Sequence, residues 1–272
     1  MHKIHFHHKE PYRVFLSLLP TAQTFEETEQ KNLQIKMNIP KEQLFTYVVS
    51  VYITVQLPQE IERIAKKYYF YSDPTDLERI IEYTNWLLRD CPFMKKWFQH
   101  RSLFSYLYKR ISDHFEKHSP TSLYIQFETF VLFQFKIFHH QLIDIVGFAI
   151  DEMKREEEYQ AFVQKLRSYV RKSTPKRSTL HIVQGDPFQF FSEDGIKLSR
   201  TYLRNEMKRA PLYLFGLDET EWNIAPVIAL LPKQLYIYGV DEIDGKMMTL
   251  RSIFEERATF TSEKSFPFLI QK

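Results

Sequence analysis

The side chains that could do chemistry are sparse, and the most regular set lies in one helical segment. His140 and Asp144 are four residues apart, so both would project from one side of a helix, and Asp151 follows farther along. At 100° per residue these side chains fall within about 40° of one another. A histidine and a carboxylate at this spacing can hold a divalent metal or exchange a proton. Polar residues on the water side of a helix give the same pattern, and we favour that interpretation.

A second candidate metal site is the histidine cluster at the start of the chain. Its members are His2, His5, His7 and His8. His5 and His7 would share one face of a strand and could capture a divalent ion there. We interpret such binding as adventitious, because histidine-rich tracts bind metals without a designed ligand set. We therefore expect no cofactor.

The only cysteine, Cys91, is the candidate nucleophile. A lone cysteine excludes an intrachain disulfide and fits a reducing cytosol. His100 is the nearest candidate base, but no motif links it to Cys91. We therefore expect Cys91 to pack against its neighbours rather than to react, and we predict no catalytic residue.

A basic and aromatic stretch supports a nucleic-acid alternative. Its basic residues are Lys95, Lys96, Arg101, Lys109, Arg110 and Lys117. Cations of this kind bind phosphates, and interleaved aromatic rings can stack on the bases of a single strand. Aromatic residues at helical spacing more often face a core, however, and Trp97, Phe104, Tyr108 and Ile111 fit one stripe. We favour the core interpretation and keep nucleic-acid binding as the minor alternative.

The composition indicates a globular protein with one large or two smaller domains. The chain has 272 residues, of which 44% are hydrophobic, and it is rich in aromatic residues, with 24 Phe, 16 Tyr and 3 Trp. It contains only 6 glycines, which disfavours a fold built on glycine-rich nucleotide-binding loops. The formal net charge of +3 neither requires nor excludes an anionic partner.

We predict a cytoplasmic protein without a membrane segment. The first ten residues are polar and rich in histidine, so no secretory signal is expected. The most apolar window, Phe130–Ile150, contains Lys136 and Asp144. Each charge would cost roughly 2.5–3.5 kcal/mol at the centre of a bilayer, so a core helix is the better interpretation.

Two consecutive helices form the predicted centre of the fold. Over Phe130–Met153, one side of the projected helix carries Val131, Phe135, Phe138, Leu142, Ile145, Val146, Ala149 and Met153. His139 projects nearer that apolar side, and we predict a hydrogen-bonded histidine at the edge of the core. A second apolar stripe runs from Tyr159 to Val170, and Pro175 marks its end.

The region before these helices is predicted to be mostly helical with a short β pair. Alternation predicts strands over His2–His8 and Leu33–Met37, which we expect to pair. The β-branched residues of Pro40–Leu57 favour a strand by propensity, whereas Pro40 suits a first helical position; we favour a helix that breaks or bends at Pro58. The remaining predicted helices are Pro11–Leu19, one after Pro58 with a stripe from Ile61 to Tyr68, one that begins at Asp73-Pro74, and Met94–His118.

The chain changes to short strands and tight turns after Pro175. The predicted elements are a strand at Leu180–Val183, a hairpin of Phe188–Phe191 and Ile196–Leu198 around Gly195, a helix at Glu219–Leu231, a strand at Leu235–Tyr238, a helix at Met247–Glu256 and a strand at Ala258–Thr261. These elements predict a small α/β sandwich. We therefore predict an α+β fold with a mostly helical region over residues 1–172, a linker at 173–177 and a second domain over 178–272.

Three stretches of the chain resemble the YtxC-like family of sporulation proteins from endospore-forming bacteria. They are Val55–Leu88 (VQLPQEIERIAKKYYFYSDPTDLERIIEYTNWLL), Ile143–Val183 (IDIVGFAIDEMKREEEYQAFVQKLRSYVRKSTPKRSTLHIV) and Ile224–Gly239 (IAPVIALLPKQLYIYG). The resemblance implies a role in spore formation in a Gram-positive cytoplasm, and it implies no reaction, ligand or catalytic residue. We expect a non-catalytic interaction protein with an unknown protein partner. The alternative is a metal-dependent or nucleic-acid-linked enzyme that uses His140, Asp144 and Asp151.

Overall fold

Helices and two small mixed sheets make up the fold, which confirms the predicted α+β class. A computed structural model describes residues 1–19, 26–28, 33–116 and 122–268. Contacts divide the chain into two units, Met1–Arg155 and Glu156–Lys272. The predicted division at residues 173–177 stays a prediction.

The first unit contains a mixed four-stranded sheet in the order β2-β3-β1-β4. Its strands are β1 (His2–His5), β2 (Glu26–Thr28), β3 (Gln34–Met37) and β4 (Tyr124–Gln126). The predicted pairing is confirmed, because β1 and β3 run antiparallel with the buried residues Ile4 and Ile35 opposite each other. Sequence reasoning missed β2 and β4. Strands this short carry too little alternation to be recognised.

The helices of the first unit follow the predicted order. They are α1 (Lys9–Leu18), α2 (Lys41–Val51), a π-helix (Tyr52–Gln56), α3 (Leu57–Tyr68), α4 (Pro74–Asp90), α5 (Pro92–Trp97), α6 (Leu103–Glu116), α7 (Phe127–Gln134) and α8 (Lys136–Lys172), which continues into the second unit. The predicted cap of α4 is confirmed, because the Asp73 side chain accepts hydrogen bonds from the backbone N–H groups of Thr75 and Asp76.

The segment Pro40–Leu57 is helical, so the β-branched residues do not decide its structure. Pro58 does not end the helix. Pro58 has no N–H to donate to the carbonyl of Thr54, and the chain adopts a π-helical turn before it, in which the N–H of Leu57 bonds the carbonyl of Tyr52. Burial of Val48, Val49 and Val51 on the helix outweighs their strand propensity.

The single helix predicted over Met94–His118 is wrong. The chain forms α5 and α6 instead, and Gln99 and His100 between them have positive φ values of 53° and 61°. Among the described residues of α6, Leu107 and Ile111 are fully buried; Ile111 belongs to the predicted stripe, whereas Phe104 and Tyr108 of that stripe are only partly buried. Lys117 lies outside the described residues.

The apolar stripe predicted for the central helix is confirmed, but the helix boundaries differ. Every member of the stripe from Val131 to Met153 is at most 2% exposed. The break lies at Phe135, between α7 and α8, where φ is −103° and ψ is 12°. No break separates the two predicted helices near residue 155, because α8 runs without interruption to Lys172.

The second unit contains a mixed sheet in the order β6-β5-β7-β8, with helices against one face. The remaining elements are β5 (Arg177–Val183), β6 (Gln189–Phe191), α9 (Arg200–Arg209), α10 (Ala225–Leu230), β7 (Pro232–Gly239), α11 (Gly245–Phe254) and β8 (Ala258–Ser262). Strand β5 runs parallel to β7, which runs parallel to β8. Leu180 and Leu235 contribute to the core together with Leu166 of α8.

Two predictions in this unit need correction. The helix predicted at Glu219–Leu231 begins only at Ala225, where Pro226 takes a first-turn position instead of an interior one. The Glu221 side chain accepts hydrogen bonds from the N–H groups of Ile224 and Ala225 at 2.6 and 2.7 Å. The predicted hairpin contains one strand, β6, and a single bridge between Phe191 and Lys197. Helix α9 was not predicted.

None of the described helices is long and apolar enough to cross a membrane.

Limited proteolysis tests the linker predicted at residues 173–177. Lys172 and Lys176 are exposed, and residues 173–176 belong to no helix or strand, whereas Arg155 lies within α8. Because proteases cut irregular exposed backbone first, we expect native trypsin digestion to begin after Lys172, Lys176 or Arg177, as read by mass spectrometry.

The two fragments should stay associated during gel filtration. Val163 and Leu166 of α8 share one core with Leu180 of β5, so a cut between these elements leaves the packing in place. First cuts confined to the chain ends or to residues 95–117 would contradict the proposed linker.

Candidate functional site

A cavity of about 290 Å³ in the first unit brings together polar groups that are far apart in sequence. It lies between the π-helix and α3 on one side and α7 and the start of α8 on the other. The lining residues are Tyr52, Gln56, Gln59, Glu60, Arg63, Glu128, Val131, Leu132, Phe135 and His139. Such a cavity with convergent polar groups is the first place to look for a binding site.

The π-helix sets the relative position of Tyr52 and Glu60. In a regular α-helix, residues eight positions apart are rotated by about 80°. The wide turn at Tyr52–Gln56 accommodates one extra residue, so the pair behaves as if it were separated by seven positions and differs by only about 20°. Both side chains therefore lie on one face, and the Tyr52 hydroxyl donates to Glu60 Oε2 at 2.7 Å.

The Glu60 carboxylate is the centre of a hydrogen-bonded network. Its other oxygen, Oε1, lies 2.5 Å from His139 Nδ1 and 3.5 Å from the Arg63 guanidinium. Burial, and then the negative charge of Glu60, raise the pKa of Tyr52 far above its ordinary value. Tyr52 therefore stays protonated and donates to Glu60 at every physiological pH. His139 is the hydrogen-bonded core-edge histidine that the sequence predicts.

Glu128 joins the start of the chain to this site. Its Oε1 accepts hydrogen bonds from the backbone N–H groups of His7 and His8 at 2.9 and 3.2 Å. Its Oε2 is buried and has no hydrogen-bond partner among the described residues. Glu128 lies in the first turn of α7, where a negative charge interacts favourably with the helix dipole.

Beside the cavity, the junction of α7 and α8 exposes three large apolar side chains, which we call the α7–α8 patch. Leu132, Phe133 and Ile137 are 63%, 70% and 55% exposed. Helix α7 is apolar nearly all round, so burying Phe127 and Val131 leaves Leu132 and Phe133 on the outside. An exposed apolar patch of this kind is a candidate interaction surface.

Basic groups border the α7–α8 patch. The His114 ring lies 6.4 Å from the Phe133 ring, and Arg110 Nε donates to the carbonyl of Gln134 at 3.3 Å. Lys136 is exposed and lies between Phe133 and Ile137 in sequence. The patch is therefore apolar with a positive border.

Two of the three residues of the predicted helix-face site line the same cavity, and His140 is not among the residues that line it. Asp144 and Asp151 line one cavity of about 560 Å³ with Tyr69. Partial burial, followed by the charges of Asp144 and Asp151, raises the pKa of Tyr69. His140 is exposed, and its Nδ1 lies 2.9 Å from the carbonyl of Lys136. Within the described parts of the chain, no group of three or more His, Cys, Asp or Glu residues could hold a metal ion.

The N-terminal histidines have different environments. His2 is buried, its Nδ1 accepts a hydrogen bond from the N–H of Leu123 at 3.2 Å, and burial lowers its pKa. The rings of His5 and His7 are 5.4 Å apart, and His8 is exposed. Because His2 has a structural role, the cluster does not act as one ligand set.

The other predicted residues lie around α5 and α6. Cys91 and His100 line one further cavity, of about 770 Å³, together with Arg101. Lys96 and Lys109 are exposed, and the side chain of Lys95 lies outside the described residues. The aromatic residues pack on the core, as predicted: Trp97, Phe104 and Tyr108 are partly buried against it, and Phe98 and Tyr106 are buried.

Sequence reasoning missed the role of Glu60 and Tyr52. Glu60 follows Pro58 and Gln59 and looks like an ordinary solvent-facing charge. Its partner His139 is 79 residues away, so no local motif could join them. The one usable signal was Pro58 inside a helical pattern, which indicates an irregular turn.

Comparison with known proteins matches the chain to a family model. The model of the YtxC-like family covers residues 42–259. The chain is also similar to the uncharacterised protein YtxC of Bacillus subtilis, with 29% identity over 136 residues. This match covers 47% of the chain and 45% of that relative, so the chain spans less than half the length of the relative it matches. No solved structure gives a significant match.

Replacing Glu60 with glutamine tests the network. Glu60→Gln keeps the size of the side chain but removes the charge that holds Tyr52 and His139, so we expect a loss of about 1–3 kcal/mol in the free energy of unfolding. Urea denaturation measures it. Glu62→Gln is the matched control, because Glu62 pairs with Lys66 one turn away at the surface, and its replacement should change the free energy of unfolding by less than about 0.5 kcal/mol. Equal losses in the two variants would contradict the proposed role of Glu60.

Proposed function

The chain belongs to the YtxC-like family, and from this membership we propose that it is a cytoplasmic, sporulation-associated protein that acts by binding a partner protein. The sequence resemblance supports the sporulation context. The lone Cys91 suits a reducing compartment and supports the cytoplasmic location. The observation that supports binding is the α7–α8 patch.

The chemistry of the patch indicates which types of side chain the partner should have at the interface. Leu132, Phe133 and Ile137 require apolar side chains opposite them, because their exposure to water is unfavourable. Arg110 and Lys136 at the border favour acidic residues in the partner. We therefore propose that the partner binds through a short segment whose apolar residues are flanked by Asp or Glu.

The groups behind the patch hold it in a fixed position. Phe135, at the junction of the two helices, is 2% exposed, and its ring packs 4.6 Å from that of Tyr52. His139, one turn farther along α8, is hydrogen bonded to Glu60. A rigid surface loses little conformational entropy when a partner binds.

Affinity capture from sporulating cells tests this proposal. The bait is the full chain, and we expect Phe133→Ser with Ile137→Ser to reduce the captured partner at least tenfold, because two apolar anchors are removed. Tyr213→Ser is the matched control, since Tyr213 is 78% exposed and lies in the second unit. Captured proteins are quantified by mass spectrometry.

The comparison is meaningful only for folded baits. Both variants should keep the melting temperature of the natural chain, because the replaced side chains face water. The proposal is wrong if every protein captured by the natural chain is captured equally by the patch variant. It is also wrong if Arg110→Ala and Lys136→Ala leave capture unchanged at low ionic strength.

A metal-dependent enzyme that uses His140, Asp144 and Asp151 is the alternative, favoured by the shared cavity of the two aspartates. We expect the untagged, purified protein to contain less than about 0.1 equivalent of zinc or manganese, because a closed site needs three or four protein ligands. Elemental analysis measures it. One equivalent of metal that is lost in His140→Ala would support the metal-dependent enzyme.

Nucleic-acid binding is tested separately, on a column of immobilised single-stranded DNA. Binding would appear as retention that falls with rising salt concentration, and the residues that would carry it are Lys95, Lys96, Arg101, Lys109 and Arg110.

A further inference from the structure

A cavity of about 770 Å³ lies in the first unit, between the π-helix and the connection of α5 to α6. Its volume suits a small organic ligand. The floor is apolar: Leu57 and Phe98 are each 1% exposed, and Leu88 and Leu103 are also buried. A ligand that fills this space must therefore have an apolar body.

The mouth of the cavity has the opposite character. Three basic side chains, those of Arg89, His100 and Arg101, line it. No acidic side chain occurs among the described residues of the lining. Arg89 Nε donates to the neighbouring Asp90 at 2.9 Å, whereas among the described residues the Arg101 guanidinium has a single contact, 3.5 Å from the neutral Gln99 side chain. The mouth therefore favours a negative group.

The backbone at the mouth adopts an uncommon conformation. Gln99 and His100 are consecutive residues with φ values of 53° and 61°, a region that favours glycine. This conformation ends α5 and starts α6, so that His100 and Arg101 line the cavity mouth. Unfavourable backbone conformations persist most often where function requires them.

We propose that this cavity binds a single amphipathic anion, with an aliphatic chain on the apolar floor and a carboxylate or phosphate headgroup between His100 and Arg101. Arg101 supplies a planar donor pair that suits either headgroup. Asn85 and Ser102 also line the cavity and add neutral hydrogen-bonding groups. The site is separate from the α7–α8 patch and does not depend on the proposed function.

Calorimetric titration of the full chain tests the ligand chemistry. Dodecanoate, used below its micelle concentration, should bind with a stoichiometry of one. Dodecylamine has the same chain with the opposite charge and should bind at least tenfold more weakly, and acetate, which is a headgroup alone, should not bind detectably. Dodecyl phosphate should bind as well as dodecanoate or better.

Two glycine variants distinguish an effect on ligand binding from an effect on protein stability. His100→Gly and Gln99→Gly each relieve a positive φ, so both should raise the melting temperature. Only His100→Gly removes a lining side chain, so only it should weaken dodecanoate binding, by about tenfold. Arg101→Gln should weaken binding by a similar factor without a change in melting temperature.

Several results would overturn the proposal. Equal binding of dodecanoate and dodecylamine would indicate an apolar cavity without charge selection. Binding of acetate alone would indicate a simple anion site, and binding only to phosphatidylglycerol vesicles would indicate a membrane surface rather than a single ligand. Unchanged dodecanoate affinity in both His100→Gly and Arg101→Gln would place the ligand elsewhere.

Discussion

The partly buried carboxylate of Glu60 constrains much of the first unit. A carboxylate removed from water is stabilised by hydrogen bonds to both oxygens, since each unsatisfied oxygen costs free energy. Tyr52 supplies one from the π-helix and His139 the other from α8. These two hydrogen bonds tie the first turn of α8 to α3, next to the α7–α8 junction with its exposed apolar residues.

Periodicity predicted the parts of the fold in which one face of an element is buried. The stripe from Val131 to Met153 follows the 3.6-residue period and is buried as expected. The failures occur where the backbone departs from that period. The breaks at Gln99-His100 and at Phe135 contain no glycine or proline, so the sequence has no local signal that predicts them. The helix predicted at Glu219–Leu231 was too long because Pro226, which was placed in its interior, lies in the first turn of the actual helix.

The candidate site was harder to predict than the fold. His140, Asp144 and Asp151 are attractive in sequence because their spacing is regular, but regular spacing along a helix also describes a solvated face. His139 is not part of any regularly spaced set of polar residues, yet its side chain contacts the carboxylate of Glu60, which is 79 residues away in sequence. Contacts of this kind depend on packing between elements, which a single sequence does not encode locally. The exposed Leu132, Phe133 and Ile137 lie within an apolar run that also contains buried residues such as Val131, Phe135 and Phe138, so the sequence does not distinguish them.

The π-helical turn before Pro58 has a consequence for how related genes should be compared. A one-residue insertion or deletion in a helix normally rotates every later side chain by about 100°, which would move Glu60 away from Tyr52. The wide turn at Tyr52–Gln56 absorbs such a residue locally. A relative with one residue fewer in this stretch and a regular α-helix there would place the Tyr and the Glu seven positions apart, with nearly the same relative orientation. An alignment gap of one residue here is therefore compatible with the same Tyr–Glu hydrogen bond, whereas the same gap elsewhere between the two residues, without a wide turn, is not.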